Sequence, residues 1–208
     1  MIAIIDYGVG NLFSLKSSLA AIGADAVVTG NPEVIRNADH IILPGVGAFG
    51  DAADKLHQTG LDRIVVEEAK RGKPLMGICL GMQLLFDKGF EYGEHQGLGL
   101  VPGEVRSIDK VIPPDLKVPH IGWNALNFEG RKSPLFKYIT EGDCVYFVHS
   151  FYGANCAPTT IATAEYGAAL TAAVQNKNVY GCQFHPEKSG KVGLNILRAF
   201  CELEGTTC

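Results

Sequence analysis

The stretch that most constrains this chain is residues 73–86, Lys-Pro-Leu-Met-Gly-Ile-Cys-Leu-Gly-Met-Gln-Leu-Leu-Phe. An apolar run leads into Cys79, glycines stand two positions to either side of it, and a helix-compatible run leaves it. That pattern reads as a strand, a sharp turn and a helix, with the cysteine side chain raised at the tip. Small flanking residues are what let a chain turn so tightly around one exposed group. A cysteine at the first turn of a helix also meets free N–H groups and the positive end of the dipole, which favour thiolate over thiol. The segment taken alone reads equally as a buried thiol packed between two glycines.

The flanking sequence supplies the frame. Residues 2–5 form an apolar run that ends in Asp6-Tyr7-Gly8-Val9-Gly10-Asn11, followed by a helical pattern through Leu12, Leu15, Leu19 and Ile22 and a C-cap at Gly23. Residues 26–28 read as a strand. Asn31 reads as the cap of a short helix with Pro32 at its first position. A third strand at 41–43 stops at Pro44-Gly45-Val46-Gly47. Helices over 49–58 and 61–71 are separated by Gly60, and a strand over 74–78 enters the elbow. Alternation of this kind predicts an α/β fold whose central, mostly parallel sheet is flanked by helices. Sites in such sheets collect at the carboxyl ends of strands, where both Cys79 and the Pro44–Gly47 turn fall. The Gly8–Asn11 turn lacks the third glycine of a dinucleotide fingerprint.

After Phe86 the pattern changes. Residues 97–107, 145–148, 161–164, 171–174 and 179–184 read as an added antiparallel portion in the C-terminal half, with a hairpin turn at 176–178. A last helix is expected from about Ser189 to Leu203, and Pro113-Pro114 marks a loop. The chain of 208 residues is expected to be one domain, 1–208. A net charge of −4 without a basic cluster gives no footprint for nucleic acid. Six cysteines, at 79, 144, 156, 182, 201 and 208, show no metal-site or C-x-x-C spacing, so they are expected reduced, with no metal. The start Met1-Ile2-Ala3-Ile4-Ile5 meets Asp6 too soon for a signal peptide, and no apolar run reaches a membrane span. The expected location is the cytoplasm.

A thiolate nucleophile needs a base and a group that orients the base. His40, His57 and His95 sit in polar surroundings and read as surface residues. His185 follows a strand and precedes Pro186, which keeps it extended, so Glu187 two positions on projects to the same side. Glu187 is then placed to hold one ring nitrogen while the other faces Cys79, a Cys-His-acid arrangement. A strand exit bearing a solvated His-Glu pair reads from the same letters. Donors for a developing oxyanion follow from position: the amide of Leu80, after the nucleophile, and one from the Pro44–Gly47 turn, which also reads as a plain tight loop.

GICLGMQ at 77–83 together with YGCQFHPEKS at 180–189 resembles the class I (triad) glutamine amidotransferases. IDYGVGNL at 5–12, LPGVGAF at 43–49, GLGLVPG at 97–103, PHIGWN at 119–124 and VYFVHSF at 145–151 extend the resemblance over almost the whole chain. They point to a branch of that family in histidine biosynthesis. The resemblance implies hydrolysis of glutamine to glutamate and ammonia by Cys79 as nucleophile, His185 as base and acid, and Glu187 as its orienter. It implies oxyanion amides from Val46 and Leu80, and a glutamine pocket formed by Gly47, Gln83, Glu91, His149, Ser150 and Phe151. Gln83, one helical turn after Cys79, can face the same pocket. The family usually has tyrosine where Phe151 stands, so that position offers a ring and no hydroxyl. No cofactor is implied. The implied partner is a (β/α)8-barrel cyclase that receives the ammonia, on a separate polypeptide because this chain stops soon after its last helix. Asn11, Trp123 and Asn124 are the implied contacts with it. An exposed Trp123 suits an interface, and core packing suits tryptophan equally. Amidotransferases of other pathways, a partner-independent cysteine amidase or peptidase, and a non-catalytic subunit are the alternatives. The GVGN and IGWN segments speak against the first, and the intact Cys79, His185 and Glu187 against the last.

Overall fold

The structure, a computed structural model, describes residues 1–205. Cys208 lies outside the described residues. The chain opens β1 (Ile2–Ile5), α1 (Leu12–Ala21), β2 (Ala26–Thr29), α2 (Pro32–Asn37), β3 (His40–Leu43), α3 (Phe49–Gln58), α4 (Leu61–Lys70), β4 (Leu75–Ile78) and α5 (Leu80–Leu84). It continues β5 (Phe86–Gly89), β6 (His95–Gln96), β7 (Val101–Ser107), β8 (His120–Ala125), β9 (Asn127–Phe128), β10 (Cys144–His149) and β11 (Phe151–Ala154). It closes β12 (Thr160–Glu165), β13 (Ala169–Asn176), β14 (Val179–Cys182) and α6 (Gly190–Cys201).

The eight-stranded sheet runs β2-β1-β3-β4-β14-β13-β12-β9. Its first five strands are parallel and its last three antiparallel. Strand alternation sends Ile2 and Ile4 to one face, where Leu15 and Leu19 of α1 and Ile196, Leu197 and Phe200 of α6 cover them. Ala3 and Ile5 go to the other face, under Ile35, Leu56 and Val65 of α2, α3 and α4. Both faces are covered, which is why these strands are written in nearly unbroken apolar letters. The helix punctuation follows the sequence. Asn31 Oδ1 accepts the Glu33 N–H at 2.9 Å ahead of Pro32. Gly23, at φ +76°, ends α1 with Gly23 N–H on Ala20 O and Ala24 N–H on Leu19 O, a Schellman ending.

Three expectations are corrected. The helix leaving the elbow stops at Leu84 instead of running to Phe86. The returning segment takes its carbonyls: Leu98 N–H donates to Leu84 O, and Leu100 and Val101 N–H donate to Leu85 O, so Phe86 begins a strand. Residues 97–107 do not form an antiparallel unit of their own. β7 pairs parallel with β5 and antiparallel with β11, in a separate four-stranded sheet ordered β11-β7-β5-β6. Residues 179–184 are antiparallel only on the side of β13. On the other side β14 pairs parallel with β4, Val179 opposite Leu75, and completes the parallel set. β8 and β10 form a two-stranded antiparallel ribbon. The five described cysteines are unpaired. His57 is exposed, whereas His40 and His95 are half-buried, His40 Nε2 lying 2.8 Å from Leu203 O and His95 against Gly50. Among the described residues no helix is long and apolar enough to cross a membrane.

Candidate active site

Three adjacent parallel strands deliver the parts of one site. β3 ends in the Pro44–Gly47 turn, β4 ends at Cys79, and β14 leads through Gln183 and Phe184 to His185. Cys79 has φ +54° and ψ −112°, a backbone conformation that an L residue rarely holds and that marks the elbow as strained. Its N–H donates to Cys182 O at 2.7 Å, tying the turn to the exit of β14. The close approach of chains around it depends on glycine. A Cβ at Gly77 would lie 2.5 Å from Gly81 O, one at Gly45 2.6 Å from Gly81 N, and one at Gly81 1.9 Å from Leu43 O. α5 has only five residues, so its dipole is small and the electrostatic work at Cys79 falls mainly to neighbouring groups.

His185 Nδ1 lies 2.8 Å from Glu187 Oε1, both side chains 3% exposed. The route to that contact differs from the expected extended segment. Pro186 opens a 3-10 turn over Pro186–Lys188 that folds Glu187 back under the ring. Burial lowers the His185 pKa, but hydrogen bonds to Cys79 and Glu187 and their negative charge outweigh it and raise the pKa to about 9. With Nδ1–H donated to Glu187, Nε2 is the nitrogen left for Cys79.

A cavity of about 380 Å³ lies at these strand ends. Cys79, Leu80, Val46, Gly47 and His185 line it, as do Gln83, Glu91, His149, Ser150 and Phe151. Pro119, Val148 and Lys188 complete its wall. Glu187 stands behind His185 and, with Asn11 and Val46, borders a small adjoining cavity of about 10 Å³. A roomier groove of about 500 Å³ lined by His57, Asp62 and His95 holds no nucleophile beside a base. Among the described residues no group of three or more His, Cys, Asp or Glu is placed to hold a metal ion.

The polar groups of the wall hold one another. Gln83 Nε2 donates to Phe151 O at 3.1 Å, and Glu91 Oε2 accepts the Phe49 N–H at 2.7 Å. His149 Nδ1 donates to Phe151 O at 2.8 Å, and its Nε2 meets His120 Nδ1 at 3.0 Å. Burial and the neighbouring His120 and His185 push His149 down to about 4 against the pull of the Phe151 carbonyl, so it is neutral at pH 7. Burial also lowers His120.

Trp123 is 56% and Ile121 58% exposed, beside the cavity wall at Pro119. The Trp123 ring meets Tyr146 edge-on at 6.0 Å. Asn124 is turned inward: its Oδ1 lies 2.8 Å from His120 Nε2 and its Nδ2 donates to Glu165 O at 2.9 Å. Two buried polar residues escape a reading of motifs. Tyr7 donates its hydroxyl to Pro44 O at 2.8 Å, holding the start of the glycine turn, and burial raises its pKa. His120, 1% exposed, backs His149. Tyr7 falls in the Asp6–Asn11 turn, where the sequence carries no signal for a buried hydroxyl.

Residues 3–202 match the family described as glutamine amidotransferase class-I. The chain is 47% identical over 205 residues to imidazole glycerol phosphate synthase subunit HisH of Wolinella succinogenes, covering 98% of this chain and 100% of that one. It is 46% identical to the protein of the same name from Oceanobacillus iheyensis, covering 98% and 99%. Among solved structures, PurLQS from Thermotoga maritima shares the fold with a TM-score of 0.76 at 20% identity, covering 96% of each chain. A crystal structure of a glutamine amidotransferase shares it with a TM-score of 0.75 at 19% identity, covering 97% and 98%. With a family match across nearly its whole length and full-length relatives close to half identical, this chain belongs to the class-I glutamine amidotransferases.

Proposed function

We propose that the chain is the glutaminase subunit of an imidazole glycerol phosphate synthase, acting in histidine biosynthesis. It hydrolyses glutamine to glutamate and ammonia and hands the ammonia to a cyclase subunit. The observation that carries this reading is the convergence of Cys79, His185, Val46 and Leu80 on one cavity, with Glu187 2.8 Å from His185.

The chemistry follows from that arrangement. Cys79 gives its proton to His185 Nε2, and the thiolate sulfur attacks the side-chain carbonyl carbon of glutamine. The carbonyl oxygen becomes an oxyanion that accepts from the Val46 and Leu80 N–H groups. His185 Nε2–H protonates the departing nitrogen as the tetrahedral carbon collapses to a thioester and ammonia leaves. A water then gives a proton to Nε2 as its oxygen attacks the thioester carbon; the C–S bond breaks, glutamate is released, and Nε2–H returns the proton to Cys79 Sγ. Glu187 keeps Nδ1 protonated, so only Nε2 carries protons in and out. Gly47, Gln83, Glu91, His149, Ser150 and Phe151 shape the cavity around the substrate.

A cyclase of (β/α)8-barrel form is the partner that fits the exposed apolar residues near the pocket. Val46 is 44% exposed at the cavity, and Val118, Ile121 and Trp123 are 43%, 58% and 56% exposed on the segment that runs out from Pro119. Asn11 lies on the side of the glycine turn. Docking there would place the partner directly over the nucleophile and give ammonia a path away from bulk water.

Incubating the purified chain with glutamine, with and without a cyclase subunit and its nucleotide, tests the reading. Glutamate release is expected near background for the chain alone and to rise when the cyclase and nucleotide are added. Vigorous partner-free hydrolysis of peptides would overturn it. Cys79→Ala is expected to abolish release while the circular dichroism melt stays unchanged, and residual turnover at the wild-type rate would remove the mechanism.

A further inference from the structure

One buried polar side chain at the nucleophile has no role in the mechanism above. Gln183 stands between Cys182 and Phe184 at the exit of β14 and is 0% exposed. A carboxamide in that setting is costly unless both its ends are bonded. Its Oε1 accepts from Gln83 Nε2 at 3.0 Å, and its Nε2 lies 3.8 Å from Cys79 Sγ.

The direction of this amide is set by its neighbours. The Phe151 carbonyl can only accept, so the end of Gln83 that faces it, at 3.1 Å, is the NH2 group. The second hydrogen of that NH2 points to Gln183, which must therefore present oxygen to Gln83. The NH2 of Gln183 is left facing sulfur. His149 Nδ1–H, on the same Phe151 carbonyl at 2.8 Å, fixes the far end of the series. A thiol sulfur is a weak acceptor, whereas a thiolate is an ionised one whose hydrogen bonds are roughly twice as strong as neutral ones. Cys79 is 8% exposed, so most of what surrounds its side chain is protein.

We propose that Gln183 is a further catalytic residue, donating its Nε2–H to Cys79 Sγ and holding the sulfur as thiolate, with Gln83 positioning it. The proposal rests on the reading of Cys79 as nucleophile. Gln183 transfers no proton: the thiol proton goes to His185 Nε2, and the carboxamide stays neutral throughout. Gln83 thus serves the nucleophile through Gln183 as well as lining the cavity.

The test is the rate of Cys79 alkylation by iodoacetamide in the full chain from pH 5 to 10, read by mass spectrometry of the Cys79 peptide. Alkylation requires neither glutamine nor a partner, so its outcome is separate from whether the chain hydrolyses glutamine. Gln183→Met keeps length and removes the donor. Gln183→Glu keeps shape and turns a carboxylate toward sulfur. A hydrogen bond to an ionised group corresponds to roughly tenfold in this rate. Cys79 alkylation at pH 7 is expected to fall about tenfold in Gln183→Met and further in Gln183→Glu, with the profile displaced to higher pH. Gln83→Leu, which frees the Gln183 amide to turn, is expected to give a smaller fall. The exposed Cys144, measured in the same samples, is expected to react unchanged. Loosened packing would speed Cys79 alkylation, the opposite sign. Profiles that superimpose on wild type, or run faster, overturn the proposal. Should the methionine variant not fold, the glutamate variant decides it by the same criterion.

Discussion

Replacing Gly81 with alanine tests how the elbow and the glycine turn are joined. A Cβ there would stand 1.9 Å from Leu43 O, 2.8 Å from Leu43 C and 3.1 Å from Pro44 C. A close carbon–oxygen contact is about 3.3 Å, so relief requires roughly 1.4 Å of separation between α5 and the end of β3. No side chain can rotate away, because the obstacle is backbone. β3 is held on both sides, by β1 and β4, so the displacement falls on Cys79 and on the Pro44–Gly47 turn. Overpacking of a well-filled site costs about 1–3 kcal/mol, and a clash without a rotamer escape belongs at the upper end. Misplacing reacting groups by about 1 Å costs on the order of 10²-fold in rate. Gly81→Ala is therefore expected to lose about 3 kcal/mol in urea unfolding. It should also lose about 10²-fold in kcat for glutamate release with the cyclase saturating. Gly60→Ala is the control: at φ +71°, with nothing within 4 Å of its Cβ, it carries left-handed strain of about 1 kcal/mol and no clash. It should fold slightly less stably and keep full kcat. A Gly81→Ala protein with the wild-type urea midpoint and kcat would refute the packing argument. Equal losses of kcat in the two variants would refute its link to the site.

Lys73 joins α2 to α4: its Nζ lies 2.8 Å from Glu68 Oε2 and donates to Ile35 O and Arg36 O, while the Glu68 side chain is 4% exposed. Lys73→Met leaves that carboxylate with Arg71 alone and should cost about 3 kcal/mol in urea unfolding, much of it recovered by adding Glu68→Leu; full stability in the single variant would discount the pair. The two pocket histidines should tilt stability in opposite directions with pH. His149, held near 4, contributes in full above the ordinary value of about 6.5 and loses up to about 3 kcal/mol as pH falls to 4, so His149→Gln should flatten the acid side of a stability–pH curve. His185, raised to about 9, contributes below about 6.5 and loses its contribution as pH rises to 9; a stability–pH curve unchanged by His185→Gln above pH 7 would contradict this. Trp123→Ala should weaken cyclase binding by about 2 kcal/mol in calorimetry without moving the urea midpoint, and undiminished affinity would place the partner elsewhere.

Sequence made legible what is written locally. Short apolar runs that end at Asp6, Pro44 and the Cys79 elbow marked β1, β3 and β4, and Asn31, Gly23 and Gly60 marked helix boundaries, because these signals act within a few residues. The four-stranded sheet was not legible. Phe86–Gly89 becomes a strand only because Gly97–Val101 returns to take the carbonyls of Leu84 and Leu85, a long-range event with no trace in the letters Phe-Asp-Lys-Gly. The parallel partner of β14 was hidden for the same reason, since β4 is about a hundred residues earlier in the chain. The site divides along this line too. Cys79, His185 and Glu187 each carry a local signature, but the groups that aim them do not. Tyr7 on the glycine turn, His120 behind His149 and Gln183 against the sulfur are single polar residues placed by strand order. Each is buried, and a buried polar group survives in a core only where it is bonded. Its burial is therefore itself evidence of a partner, although the partner's identity comes only from the fold. In this chain the partners are the Pro44 carbonyl, the His149 ring and the Cys79 sulfur: the last two line the main cavity, and Pro44 opens the turn that brings Val46 and Gly47 to it.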